Sequence, residues 1–148
     1  MLDDLNDLYQ QVILDHSRSP RNYRKLEPAS HAAEGRNPLC GDHVTLYLRL
    51  EGDVIQDISF QGSGCAISKA SASLLTDCLK GRSRAEVEAL FHQVHDLVTT
   101  GHANGAALGK LAVFGGVHKF PARVKCAILP WHAVLAAVRG QRQPVSTE

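Results

Sequence analysis

The sequence predicts an α+β domain in which a small antiparallel sheet is flanked by helices. Residues 44–60 alternate between apolar and polar side chains on either side of a Glu51-Gly52-Asp53 turn, which is typical of a hairpin. Apolar residues recur at helical spacing before this hairpin, in residues 2–16, and again after it. With 148 residues, the chain has the length of one domain that can bury its own core.

The first predicted helix covers residues 2–16, with Asp3 and Asp4 in its first turn, where they favour the helix dipole. Pro20 ends this helix, because proline has no N–H to donate within a helix. A loop then runs to about Ser30. Residues 31–35 are predicted as a short strand, which makes the sheet three-stranded.

The hairpin itself has one apolar face. In the first strand that face carries Val44, Leu46, Leu48 and Leu50, and in the returning strand it carries Val54, Ile58 and Phe60. We therefore expect one side of the sheet to pack against the helices and the other to face solvent. The segment 61–64 ends the hairpin, and Cys65 follows directly.

Four further helical segments follow. One covers residues 67–80 and stops at Gly81, and the next begins at Ser83, whose spacing to Glu86 fits a capping box. A short helix is predicted at 106–114, interrupted by two glycines at 115 and 116. The last helix starts near Cys126 and stops at Gly140. Since proline is tolerated near a helix start, Pro130 places Cys126 at or just before the first turn.

A thiol at a helix N-terminus faces free N–H groups, so we expect a lowered pKa for Cys126. Residues 1–140 are predicted to form the single domain, and residues 141–148 a polar C-terminal tail.

Composition excludes several classes of function. The net charge is +1, from sixteen basic and fifteen acidic residues, and no Lys/Arg-rich run is present, which argues against nucleic-acid binding. No apolar stretch approaches membrane-spanning length, and the acidic N-terminal segment is unlike a secretion signal. We therefore expect a cytoplasmic protein that does not bind membranes.

The four cysteines point to metal chemistry. In a reducing cytosol, cysteines bind metal or react more often than they form disulfides, although the alternative that they are small buried hydrophobes stays open. Cys40, Cys65 and Cys126 fall at predicted ends of elements, and Asp42 follows Cys40 by two positions. Three thiolates and one carboxylate suit tetrahedral zinc.

The remaining candidates are weaker. Cys78 is predicted to lie in the core, since thirteen helical residues separate it from Cys65 by roughly 20 Å. His43 is a possible competing ligand, but on a strand it points away from Asp42. Arg123 and Lys125 precede Cys126 and either offset the charge of a thiolate site or form an ordinary solvated surface.

Four blocks of sequence resemble the iron-sulfur cluster assembly proteins of the IscU/NifU-N family. They are Asp15-His16 with Ser19-Pro20-Arg21-Asn22, then Asn37-Pro38-Leu39-Cys40-Gly41-Asp42, then Gly62-Ser63-Gly64-Cys65-Ala66-Ile67-Ser68 running into Ala70-Ser71-Ala72-Ser73, and finally Val124-Lys125-Cys126-Ala127-Ile128-Leu129-Pro130-Trp131. The blocks occur in family order across nearly the whole chain. Within the family, Lys125 and the insert at about 101–119 are similar to the SufU branch, since a histidine precedes the last cysteine in the IscU branch.

The resemblance implies an IscU/SufU-like α+β fold and zinc bound by Cys40, Asp42, Cys65 and Cys126. It implies a SufS-type cysteine desulfurase as partner and at most a sulfurtransferase activity, in which Cys40 accepts persulfide sulfur. In that branch the acceptor is freed when a histidine of the desulfurase replaces it on zinc, and Arg123 matches a residue at the contact. We expect a monomer or weak dimer.

Two other functions are considered. The same four ligands could serve as a scaffold on which a [2Fe-2S] cluster is assembled, although Lys125 favours sulfur transfer. A zinc hydrolase or deaminase needs a general-base glutamate beside a ligand, and none of Cys40, Cys65 and Cys126 has such a neighbour.

Overall fold

The computed structural model describes residues 2–102, 108–141 and 144–147, and the side chains of the first helix from residue 10 onward. The α-helices are α1 (Leu2–Arg18), α2 (Ala66–Leu79), α3 (Arg84–Thr100) and α4 (Pro121–Val138). The strands are β1 (His31–Asn37), β2 (Asp42–Glu51), β3 (Val54–Ser63) and β4 (Val145–Ser146), and a 3₁₀ helix spans Gly109–Lys119. The predicted α+β class is therefore confirmed.

The sheet has four strands rather than the three predicted, in the order β3-β2-β1-β4. β1, β2 and β3 are antiparallel neighbours, and β4 pairs in parallel with β1 at Gly35 and Arg36. The fourth strand comes from the segment for which the sequence predicted a polar tail. Next to it, the backbone N–H of Thr147 donates to the carbonyl of Arg36 at 3.1 Å. This short strand had no apolar alternation to reveal it.

The prediction that Val54 lies on the apolar face of the hairpin is wrong. Val54 is 44% exposed, whereas Ile55 is fully buried with Ile58 and Phe60. The pairing between β2 and β3 shifts at Arg49/Leu50, so β3 contains one extra residue relative to its partner. Because side chains alternate along a strand, that extra residue exchanges the faces of Val54 and Ile55.

The helices pack on the apolar face of the sheet, with α4 against β1 and β2 and α2 against β3. α4 approaches β1 closely at Gly35, where an added Cβ would lie 3.0 Å from Cδ1 of Leu129. Trp131, Phe114 and Phe60 are the largest of the fully buried side chains. The core therefore extends from the apolar face of the sheet past α4 to α2, α3 and the 3₁₀ helix, and α4 packs closely against β1, the strand that leads to Cys40.

α3 and the segment that follows it agree in part with the prediction. Ser83 caps α3, and both hydrogen bonds of the capping box with Glu86 are present. Gly101 ends α3 in a left-handed conformation, with φ +83°. The 3₁₀ helix runs through 115 and 116, where an interruption was predicted, and residues 106–107 of the predicted short helix lie outside the described residues.

α4 begins five residues earlier than predicted. Pro121 occupies its first turn, and Pro130 lies inside the helix. An internal proline costs about 3 kcal/mol, but burying one large apolar side chain contributes about 1.5–3 kcal/mol. Leu129, Trp131 and Val134 are all fully buried around this proline, so packing outweighs the missing hydrogen bond. Cys126 consequently lies in the second turn of α4, not at its start.

The N-terminal segment is held onto α2 by a buried polar contact. Nδ1 of His16 lies 2.7 Å from the Ser73 hydroxyl, which also accepts a 2.8 Å hydrogen bond from the backbone N–H of Arg21. His16 and Ser73 are both buried. Within the residues that the structure describes, no helix has the length and apolar character needed to cross a membrane.

Candidate metal centre

Cys40 lies at the tip of the turn that joins β1 to β2. Its backbone N–H donates to the carbonyl of Asn37 at 3.2 Å, and Gly41 completes the turn with φ +72°. Asn37 and Asp42 are direct partners across the antiparallel pair, so their side chains project from the same face of the sheet. Cys40 is exposed, whereas Asp42 is only 2% exposed. The turn thus presents one accessible thiol above one buried carboxylate.

Cys65 is the N-cap of α2, between β3 and that helix, as the sequence predicted. Its sulfur accepts a 3.5 Å hydrogen bond from the backbone N–H of Ser68, and its own backbone N–H donates to Oδ1 of Asp42 at 2.8 Å. The Cys65 sulfur lies 3.8 Å from Oδ2 of Asp42. The start of α2 is therefore attached directly to the carboxylate of the β1–β2 turn.

Gly64 makes this close approach possible. Its φ is +146°, a conformation that L side chains rarely adopt, and an added Cβ would collide with Oδ1 of Asp42. Any larger residue at this position would separate Cys65 from Asp42.

Cys126 completes the cluster from α4. The ligand atoms of Cys40, Asp42 and Cys126 all lie within 4.8 Å of one another. Cys126 is fully buried, and that burial raises the pKa of its thiol well above the usual range, helped by hydrogen bonds involving Asp42, Cys65 and Cys40. The predicted lowering of this pKa is wrong, because Cys126 lies in the second turn of α4, away from the free N–H groups of the helix start.

Arg123 lies one turn before Cys126 on α4. It is exposed, and the neighbouring sulfurs of Cys65 and then Cys126 raise the pKa of its guanidinium group. It also lines a groove of about 610 Å³ with Ile13, Val117 and Phe120. The positively charged guanidinium group of Arg123 and an open groove therefore lie beside the cluster.

Asn37 is a residue of this site that sequence reasoning missed. Its side chain is fully buried, and its Nδ2 lies 3.8 Å from the Cys126 sulfur. Among the described residues its Oδ1 has no hydrogen-bond partner. Strand alternation was the available signal, since Ala33, Gly35 and Asn37 are the buried positions of β1 and Asn37 is the polar member.

Several other candidates lie outside the cluster. Cys78 is half-buried, packs against the hydrophobic core and lines a separate cavity of about 430 Å³. His43 lies 3.7 Å from Glu34, and His132 packs against the ring of Phe91.

The donor set fits a soft divalent cation. In tetrahedral zinc sites, bonds of about 2.3 Å to sulfur and about 2.1 Å to oxygen place neighbouring ligand atoms roughly 3.5–3.8 Å apart. Here the ligand atoms of Cys40, Asp42 and Cys126 lie within 4.8 Å of one another, and the Cys65 sulfur lies 3.8 Å from Oδ2 of Asp42. Asp42 is buried, and among the described residues no lysine, arginine or histidine forms an ion pair with it. A buried carboxylate needs compensation for its charge, which a cation held by Cys40, Asp42, Cys65 and Cys126 would supply.

Comparison with known proteins identifies the family of the chain. Residues 8–127 match the family model described as the NifU-like N terminal domain. The chain belongs to this family. The match covers β1, β2, β3, α2 and α3, and it ends one residue after Cys126, so it includes all four proposed ligands.

Three relatives of the NifU-like N terminal domain family are informative. The chain is 40% identical to "Iron-sulfur cluster assembly scaffold protein IscU" of Streptococcus pyogenes, over 93% of this chain and 87% of that one. It is 39% identical to "Zinc-dependent sulfurtransferase SufU" of Bacillus subtilis, over 88% and 89%. A crystal structure of an iron-sulfur cluster assembly scaffold protein for the SUF system from Fervidobacterium islandicum aligns with TM-score 0.82 and 34% identity, over 86% and 94%.

These findings confirm the resemblance to the IscU/NifU-N family and its SufU type. The chain is thus a member of an iron-sulfur cluster assembly scaffold family with a cysteine and aspartate cluster.

Proposed function

We propose that the protein is a zinc-dependent acceptor and carrier of persulfide sulfur in iron-sulfur cluster assembly, with a SufS-type cysteine desulfurase as donor. The observation that carries this proposal is the unequal exposure of one cluster. Cys40 is exposed at a turn, while Asp42 and Cys126 are buried within 4.8 Å of its sulfur. A site for sulfur transfer needs one solvent-accessible thiol beside ligands that stay in place. The exposed Cys40 and the buried Asp42 and Cys126 meet this requirement.

Cys40, Asp42, Cys65 and Cys126 would hold the zinc, which when bound keeps thiols deprotonated and damps their reactivity. Gly41, beside Cys40, has a backbone conformation suited to a flexible turn and no atom within 4 Å of an added Cβ. The turn therefore has room to move Cys40 outward while Asp42 stays fixed by its hydrogen bond from Cys65.

The transfer step is a thiol–persulfide exchange. The Cys40 thiolate attacks the outer sulfur of the donor's cysteine persulfide, which forms one S–S bond on Cys40 and breaks the S–S bond of the donor. The donor cysteine leaves as a thiolate, so electrons balance and no external oxidant is required. The protein would thus act at most as a sulfurtransferase.

The surroundings of Cys40 suit a protein partner. Leu39, beside it, is 73% exposed, and Phe120, at the edge of the groove near Arg123, is 60% exposed. Exposed apolar side chains next to a reactive group are typical of a docking surface. Arg123 adds a positive charge that can pair with the anionic persulfide or with an acidic group of the desulfurase.

The cytoplasmic location of the protein and its state as a monomer or weak dimer remain predictions.

The proposal is tested with the zinc-loaded protein and a SufS-type desulfurase supplied with cysteine. We expect faster cysteine turnover and, by mass spectrometry of peptides, an added sulfur atom on Cys40. Cys40→Ala should abolish both effects. Cys78→Ser is the matched control, because it removes a thiol outside the cluster and should retain zinc and activity. Full stimulation by Cys40→Ala would refute the acceptor role.

The alternative is a scaffold for a [2Fe-2S] cluster on the same ligands, favoured by the name of the 40% identical Streptococcus pyogenes relative. Lys125 precedes Cys126 here, and an ammonium group cannot replace a histidine as an iron ligand. Anaerobic reconstitution with iron and sulfide separates the two functions. A stable visible cluster that displaces zinc would favour the scaffold, and retention of zinc without colour would favour sulfur transfer.

A further inference from the structure

The three thiols of the cluster have unequal hydrogen-bond surroundings. The Cys126 sulfur faces Nδ2 of Asn37 at 3.8 Å, and the Cys65 sulfur accepts the Ser68 backbone N–H at 3.5 Å. The exposed side chain of Arg123 also hydrogen-bonds to both of these sulfurs. Among the described residues, no N–H group donates to the sulfur of Cys40, and the backbone N–H of this residue donates to the carbonyl of Asn37. The one exposed thiol is thus also the one without an N–H donor.

Among the described residues, the side-chain amide of Asn37 has one hydrogen-bond partner, the Cys126 sulfur. It ends β1, is fully buried, and lies opposite Asp42 in the strand register. Its Oδ1 has no partner among the described residues, so burying this amide carries a desolvation cost. The group that does have a partner is Nδ2, and that partner is a sulfur.

The orientation of this amide has a physical consequence. A buried thiolate loses the hydration that stabilises its charge, and an N–H donor replaces part of that stabilisation. Hydrogen bonds to a metal-bound sulfur also reduce the charge it can donate. Asn37 would therefore both keep Cys126 in its ligating form and make its sulfur a poorer nucleophile.

We propose that Asn37 is a positioning residue that anchors the Cys126 sulfur through an N–H···S hydrogen bond and thereby leaves Cys40 as the sulfur that exchanges. Ser68 has the corresponding role for Cys65, but through a backbone N–H that substitution cannot remove. This inference rests on the proposed function, because it explains which of three thiols reacts. It adds a specificity-determining side chain outside the ligand set.

The test uses full-length Asn37→Leu, which has nearly the same shape but no donor, and Asn37→Ala, which is smaller and cannot overpack. Zinc affinity, measured by competition with a chelator, should fall roughly 10- to 100-fold in both variants. In the cobalt-substituted proteins, the sulfur-to-cobalt charge-transfer band should move to lower energy, because a sulfur without its hydrogen bond donates charge more readily. A merely structural role for Asn37 would not move this band.

Ser59→Ala is the matched control. Ser59 is fully buried in β3 and its hydroxyl also has no partner among the described residues, but it lies four positions before Ser63, the end of the strand nearest the site. The control should leave zinc affinity and the cobalt band unchanged. A shift in the control equal to that in Asn37→Leu would overturn the inference.

The remaining outcomes are distinct. Unchanged zinc affinity and an unchanged cobalt band in both Asn37 variants would refute the role of Asn37, while sulfur found on Cys40 of the wild type would still support sulfur transfer. Conversely, absence of sulfur on wild-type Cys40 would refute the proposed function without affecting the metal measurements. If Asn37→Leu does not fold, as judged by circular dichroism, Asn37→Ala decides the question.

Discussion

The backbone N–H of Cys65 donates a 2.8 Å hydrogen bond to Oδ1 of Asp42, and through this bond the start of α2 is joined to the turn between β1 and β2. Asp42 therefore has two connections to Cys65, since its Oδ2 also lies 3.8 Å from the Cys65 sulfur. One carboxylate oxygen accepts the backbone N–H of Cys65, and the other lies beside the Cys65 sulfur. The hydrogen bond and the negative charge of Asp42 can be tested separately.

Asp42→Asn should retain the hydrogen bond to the Cys65 backbone but lose the negative charge, whereas Asp42→Ala loses both. We expect zinc affinity to fall at least about tenfold in Asp42→Asn and further in Asp42→Ala, with the fold retained in each. Chelator competition and circular dichroism provide the measurements. Equal zinc affinity in wild type and Asp42→Ala would show that this carboxylate is not a ligand.

Gly64→Ala should disrupt the centre by steric collision. The variant combines an unfavourable φ with a Cβ that meets Oδ1 of Asp42, so we expect a loss of about 2–4 kcal/mol in the free energy of unfolding, together with most of the zinc. Gly52→Ala is the control, since Gly52 also has a positive φ, +62°, but open space around it. Urea unfolding and elemental analysis should show a loss of only about 1–2 kcal/mol and full zinc content in the control.

Arg123→Ala should reduce stimulation of the desulfurase several-fold while zinc content stays close to that of the wild type. The side chain is exposed and acts on the sulfurs mainly through its charge, with smaller contributions from hydrogen bonds to Cys126 and Cys65. We therefore expect it to contribute to the encounter with the desulfurase more than to the metal site. Arg123→Lys keeps the charge but not the planar fork of donors, and a partial loss is expected. If Arg123→Ala loses zinc as well as stimulation, the residue belongs to the metal site.

Acid should weaken the contact between α1 and α2 through His16. Burial, and then the charge of Arg21, lowers the pKa of the His16 imidazole below its ordinary value of 6.5. The unfolded chain therefore takes up this proton more readily, so the contribution of His16 to stability is complete above about pH 6.5 and is lost as the pH falls below that value.

This contribution is isolated by comparing wild type with His16→Asn, whose amide can still reach the Ser73 hydroxyl. Urea unfolding at about pH 7.5 and about pH 5.5 should show a larger loss of stability for the wild type than for the variant. Both proteins keep the metal ligands and His132, so effects of acid on those groups cancel. Equal losses would show that His16 does not titrate with folding.

Much of the architecture was readable from local patterns. The capping box at Ser83 and Glu86 and the position of Cys65 between a strand and a helix were predicted from residue spacing and are present. Alternation predicted the main hairpin, but not the shift at Arg49/Leu50 that buries Ile55 in place of Val54. The alternation of apolar and polar residues predicts that a segment is a strand. It does not predict an extra residue in that strand, which exchanges the buried and exposed positions beyond it.

The remaining differences have tertiary causes. Pro130 predicted a helix start near Cys126, but the packing of its apolar neighbours keeps α4 intact through the proline. β4 contains two residues and forms by pairing with β1, which no local pattern of that length reveals. Asn37 and Gly64 acquire their roles from neighbours distant in sequence, Cys126 and Asp42 respectively. Spacing predicted the candidate ligand residues, but not Asn37 and Gly64, which contact them.

The position of Cys126 within α4 also affects how the protein matures. Because Cys126 lies in the second turn of a packed helix and Cys40 lies in a turn between two strands, the two sulfurs meet after α4 has docked on the sheet. A cation that binds all four ligands therefore selects the assembled chain and stabilises it by mass action. Zinc supply during synthesis would then determine how much of the newly made protein survives proteolysis, so cellular abundance should follow metal availability.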